Sequence, residues 1–71
     1  MAIFEVGDIV EVIIVDDYDA AHKIQKGSIG IVLGLNSTMS RGGWAAYRIS
    51  FLGHEYDALY NTQLKWVGHI D

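Results

Sequence analysis

The sequence predicts an all-β domain, a small barrel of five short strands left partly open. Two patterns carry that expectation. Apolar residues recur with a period of two along runs rich in Val, Ile, Tyr and Trp, as half-buried strands require. Clusters of Gly, Asn and Ser punctuate those runs at short intervals and leave no stretch with a sustained helical period. Length limits the answer further: 71 residues make one domain, 1–71, near the lower end of what folds on a single core, and no cysteine is present to staple it.

The first strand follows the turn signal Val6-Gly7-Asp8 and occupies the β-branched run Ile9 to Val15. Val10, Val12 and Ile14 are assigned to the core. That leaves Ile9, Ile13 and Val15 as a second apolar face, and a loop, the N-terminal segment or another subunit must cover it. Of these covers, a subunit contact through Ile9, Ile13 and Val15 is the one that makes a homo-oligomer, and so small a chain has little spare structure to supply the others. Asp16 to Lys26 reads as a long hairpin loop, with no capping box and with Asp16, Asp17 and Asp19 solvated.

Gly27 turns the chain into the central strand, Ser28 to Leu35. Here apolar residues at 29, 31, 33 and 35 alternate with small ones at 28, 30 and 34. The apolar set is assigned to the core, and the glycines on the other face admit a backbone or a large ring at close range. Asn36 to Gly43 is nearly all turn formers and is expected to be the most mobile loop. Trp44 to Leu52 is the third strand, with Ala45, Tyr47, Ile49 and Phe51 inward. Gly53-His54 is a turn, Glu55 to Tyr60 the fourth strand, Asn61 to Gln63 a turn or single 3₁₀ turn, Leu64 to Val67 the closing strand, and Gly68 to Asp71 a tail.

Taken together, Val6-Gly7-Asp8-x-Val10-x-Val12, Gly27-x-x-Gly30-x-Val32, Tyr47-x-Ile49-x-Phe51 and Leu64-x-x-Val67 give a pattern that resembles the SH3-like barrels. The resemblance covers nearly the whole chain and is to the group that includes KOW-type domains and the small photosystem I reaction-centre subunit IV. It implies a contact module: KOW domains meet RNA or a polymerase through basic loops, and the photosystem-type subunits dock within larger complexes. The acidic first loop departs from the KOW pattern. Ala58-Leu59-Tyr60 looks like the aromatic motif of peptide-binding SH3 domains but lies near the end of the chain, so no peptide-binding residues are carried over.

Charge bears directly on partners. Nine acids against five bases give a net −4, and the bases Lys23, Lys26, Arg41, Arg48 and Lys65 are scattered rather than clustered. A KOW-like nucleic-acid or ribonucleoprotein contact is thus the alternative reading and not the first one. No segment approaches the roughly 20 apolar residues of a membrane span, and the start lacks the basic region of a signal peptide. The expected location is cytoplasmic, in the host cytoplasm if the chain is phage-encoded, as compact acidic inhibitors of this size often are.

Little in the sequence suggests chemistry. His22, His54 and His69 match no metal spacing, and neither a metal nor another cofactor is expected. Ser28, Ser37, Ser40 and Ser50 lack a nucleophile-elbow context. Gly27, Gly30 and Gly34 precede no helix and so form no phosphate cradle. Glu55 and Asp57 share one face of a strand, but paired-carboxylate chemistry needs a deep cleft that so short a chain has little material to build. No catalytic residue is assigned, and the chain is expected not to be an enzyme.

Aromatic residues stand above this background. Tyr18, Trp44, Tyr56, Tyr60 and Trp66 are more rings than a small core can enclose along with Phe4, Tyr47 and Phe51. Tyr, Trp and Arg are enriched where proteins meet. Arg41, Trp44 and Arg48 are expected to form one patch, with Tyr18 and Tyr56 completing the contact set, while Tyr60 and Trp66 are divided between contact and closure of the barrel's open end. The function expected is a non-enzymatic protein-interaction module, a complex subunit or regulator, that binds a protein partner through these residues. A small-ligand binder with its site at a subunit interface is the second alternative.

Overall fold

Alternation and turn chemistry place the strands close to where the sequence predicts them. In the computed structural model, which describes residues 3–70, β1 (Asp8–Val12), β2 (Ile29–Arg41), β3 (Trp44–Phe51), β4 (His54–Tyr60) and β5 (Leu64–His69) form one sheet. All of its pairings are antiparallel, and the order is β4-β3-β2-β1-β5. β2 is the middle strand, as expected. β4 and β5 are edges that do not pair with each other, so the sheet is not closed into a barrel. Asn61–Gln63 forms the single 3₁₀ turn before the last strand. Among the described residues no helix is long and apolar enough to cross a membrane.

The core lies on the face carrying Val10, Val12, Val32, Tyr47, Ile49 and Leu59, all at most 1% exposed. Val10 and Val12 point inward as predicted, but β1 ends at Val12, and beyond it the alternation fails: Ile14 is exposed and Val15 packs against the core. Val15 therefore leaves the outer apolar face assigned to it, while Ile9 and Ile13 stay half-buried.

The two faces of β2 are the reverse of those predicted. Register pairs Val10 with Gly30 and Ile9 with Ile31, so Gly30 and Val32 face the core while Ile29 and Ile31 face out. Gly30 is needed on the inside because Ile49 and the Phe51 ring occupy the space a side chain would take; a Cβ there would stand 2.8 Å from two atoms of that ring and closer still to Ile49 Cγ2. The close approach of a large ring was foreseen, on the opposite face. A register shift between Val32 and Gly34 then changes the phase of the strand, and Leu35 pairs with Tyr47.

The stretch Asn36–Gly43, expected to be a mobile loop, is instead the far end of β2 and its tight turn. Its polar side chains bond its own backbone. Asn36 Oδ1 accepts the Met39 N–H at 3.3 Å, Ser40 Oγ donates to the Asn36 carbonyl at 2.9 Å, and the same Ser40 oxygen accepts the Ala46 N–H at 2.9 Å. This bulge ends at the Arg41–Trp44 pair, with Gly42 at φ +55° in the turn. Gly68 and His69, assigned to a tail, belong to β5.

The first connection holds a second correction. Asp17–Ala21 forms a short helix, α1, with Asp16 as its N-cap in a capping box: Asp16 Oδ1 accepts the Asp19 N–H at 2.8 Å, and Asp19 Oδ2 accepts the Asp16 N–H at 3.2 Å. Asp19 is not solvated but wholly buried.

Asp8 and His69 face each other across the neighbouring strands β1 and β5. Asp8 Oδ2 accepts the Glu5 N–H at 2.8 Å, and its Oδ1 lies 2.7 Å from His69 Nδ1. The Glu5 N–H holds the Asp8 carboxyl below its ordinary value of 3.8; burial opposes this, and the hydrogen bond with the His69 side chain reinforces it. Because the folded value is depressed, the unfolded chain binds more protons in that window. The Asp8 contribution is therefore complete above about 4 and is lost as pH falls through the lower folded value. Urea midpoints measured from pH 5 down to pH 2 are expected to fall more steeply for the wild-type chain than for Asp8→Asn; parallel curves would remove Asp8 from the acid response.

Candidate functional site

The predicted contact residues divide between two hollows. The first lies at the tip of the β2–β3 hairpin and is lined by Arg41, Gly42, Gly43, Trp44 and Tyr60. Trp44 opens β3 directly after the glycine turn, and Tyr60 ends β4 opposite Ala46. Their rings meet edge to face with centroids 5.9 Å apart. Tyr60 is further fixed by its hydroxyl, which donates to the Met39 carbonyl at 3.2 Å. Trp44 nonetheless remains 58% exposed. Among the described residues no carboxylate stands within ion-pair distance of Arg41. The hollow of about 460 Å³ thus presents an indole face, a phenol and an unpaired guanidinium beside glycines that leave it open.

The second hollow is polar and lies between α1 and the outer sides of β3 and β4, lined by Tyr18, His22, Arg48, His54, Glu55, Tyr56 and Asp57. Tyr18 is exposed and stacks on His22 at 4.4 Å between centroids. His22 Nδ1 lies 2.9 Å from the Tyr18 carbonyl oxygen, which can only accept, so Nδ1 carries the proton. Arg48 belongs here and not with Arg41 and Trp44, because its Nη2 faces Glu55 Oε1 at 4.0 Å. Both partners are well exposed, so the pair is worth under about 1 kcal/mol. The patch expected from Arg41, Trp44 and Arg48 together is therefore split.

Tyr56 is a core residue rather than a contact residue. It is 6% exposed, and its hydroxyl donates a hydrogen bond to Asp19 Oδ1. Burial, with the Asp19 bond second, pushes its phenol far above the ordinary tyrosine value, so it stays protonated and remains the donor. Asp19 Oδ2 also accepts from Gln63 Nε2 at 2.6 Å, and Gln63 Oε1 accepts the Tyr60 N–H at 3.0 Å. This buried set ties α1 to β4 and the 3₁₀ turn and holds Tyr18 at the rim of the second hollow. Sequence reasoning passed over Asp19 and Gln63; the Asp16-x-x-Asp19 spacing was the one local sign. Of the two residues divided between contact and closure of the open end, Tyr60 is half-buried and Trp66 exposed.

No group of three or more His, Cys, Asp or Glu side chains placed to hold a metal occurs among the described residues. No protein-family model, curated protein or solved structure matches the chain.

Proposed function

We propose that the chain is a non-enzymatic protein-interaction module of the SH3-like barrel class, a subunit or regulator that engages a partner protein at the Trp44 hollow. The strand order, the 3₁₀ turn before β5 and the long first connection support the barrel class. The exposure of Trp44 carries the functional reading. A large ring held by Tyr60 but left in water loses little freedom on binding and gains a large contact area, and an unpaired arginine beside it supplies direction. Arg41 suits an acidic or carbonyl-rich surface.

Affinity capture with the wild-type chain, followed by titration of the partner it identifies, tests the site. Trp44→Ala is expected to weaken that complex by about 30-fold, the effect of losing one aromatic hot spot, with an unchanged far-ultraviolet circular dichroism spectrum. Undiminished affinity in the variant would remove the hollow as the binding surface.

A further inference from the structure

We propose that the outer face of β1, β2 and β3 is where two copies of this chain meet, with Leu52 of each copy filling a hollow on the other. The hollow is lined by Ile9, Ile29, Ile31, Ser50 and Leu52, with Gly30 backbone in its floor. Register places Ile9, Ile31 and Ser50 side by side on the outer face, and Ile29 beside Glu11 in the next row. Ile29 is half exposed, and Leu52 stands wholly clear of the chain at 105% exposure.

Leu52 is doubly out of place. It sits in the two-residue β3–β4 turn at φ +46°, a conformation that favours glycine or asparagine, and it buries nothing within its own chain. No intramolecular contact accounts for a leucine there. A knob beside a hole on one surface is, however, what a two-fold interface requires, since the same patch must serve both sides. The charges agree. Glu55 stands opposite Ser50 with Arg48 4.0 Å from it, and on the other side Glu11 stands opposite Ile29 and Lys65. Each flank carries an acid and a base, so a second copy brings a matching pair whichever flank it faces, and the net −4 is not concentrated at the contact. A standard interface covers roughly 800 Å² per partner, and the described chain exposes 4618 Å² in all. Four aliphatic side chains and two charged flanks make a smaller patch than that, which suits a weak, concentration-dependent dimer.

Sedimentation equilibrium across a concentration series from about 1 µM to about 1 mM, the range of weak association, tests the proposal. The wild-type mass is expected to rise from monomer toward twice that value. Leu52→Asn, which suits the turn and should fold at least as well, is expected to weaken association tenfold or more, and Ile31→Ser to do the same. Trp44→Ala should leave it unchanged. A wild-type chain that stays monomeric at the highest concentration would overturn the proposal. So would a dimer that persists in both Leu52→Asn and Ile31→Ser, which would place the contact elsewhere, such as an open strand edge.

Discussion

Asp19→Ala is expected to lower the free energy of unfolding by about 3 to 5 kcal/mol. The substitution strands two buried donors, the Tyr56 hydroxyl and Gln63 Nε2, at about 1 to 3 kcal/mol each. It also opens the capping box of α1, worth roughly a further 1 kcal/mol. A chain of this length is stable by only about 4 to 10 kcal/mol, so the loss takes a large share of the total, and at the low end of that range the variant is largely unfolded in dilute buffer. Asp19→Asn keeps one acceptor and should lose about half as much. Tyr56→Phe leaves Asp19 Oδ1 without its buried donor while Oδ2 keeps the Gln63 amide, and should cost about 1 to 3 kcal/mol, less than Asp19→Ala. Urea denaturation of the three variants gives the ordering, and an Asp19→Ala midpoint close to that of Tyr56→Phe would show that Asp19 is not the hub of the set.

Gly30→Ala is expected to cost about 2 to 3 kcal/mol through overpacking. The added methyl would stand 2.8 Å from Phe51 Cδ1 and Cε1 and closer still to Ile49 Cγ2. Neither neighbour has free space, since Ile49 is fully buried in β3 and Phe51 packs on the core. Phe51→Leu in the Gly30→Ala background should restore part of the loss, so the double-mutant cycle should show a coupling of about 1 kcal/mol. Simple additivity of the two changes would mean that the clash with Ile49 alone sets the cost.

These two residues also mark where the sequence stopped being legible. The strands were readable because period-two runs and glycine turns are local signals, and the 3₁₀ turn at Asn61–Gln63 was readable for the same reason. The facing of β2 was not. Ile29, Ile31, Leu33 and Leu35 look like a core face beside Gly30 and Gly34, and only the volume of Ile49 and Phe51, about twenty residues on, requires a glycine inside at position 30. Asp19 looked like one more acid in a solvated loop because its buried partners, Tyr56 and Gln63, lie 37 and 44 residues away. Asn36 to Ser40 misled in the opposite sense: turn-forming side chains that cap their own backbone build a bulged strand instead of a loop. At the site, Trp44 and Arg41 were legible as neighbours on one hairpin. Tyr60 joined them, and Arg48 left them, through cross-strand register that no local pattern encodes.

The order β4-β3-β2-β1-β5 has a consequence for time. β2, β3 and β4 are joined by tight turns and can pair as soon as each has formed. β1 and β5 come from opposite ends of the chain, and the residues between Val12 and Leu64 must be closed into a loop before the two strands meet. Chain entropy charges for such a closure only logarithmically, roughly 0.6 kcal/mol per doubling of length, so the long span takes little from the finished sheet. Folding rates respond much more strongly to distant pairings than stabilities do. The placement of β5 beside β1 therefore governs how quickly this chain reaches its sheet more than how firmly the sheet then holds.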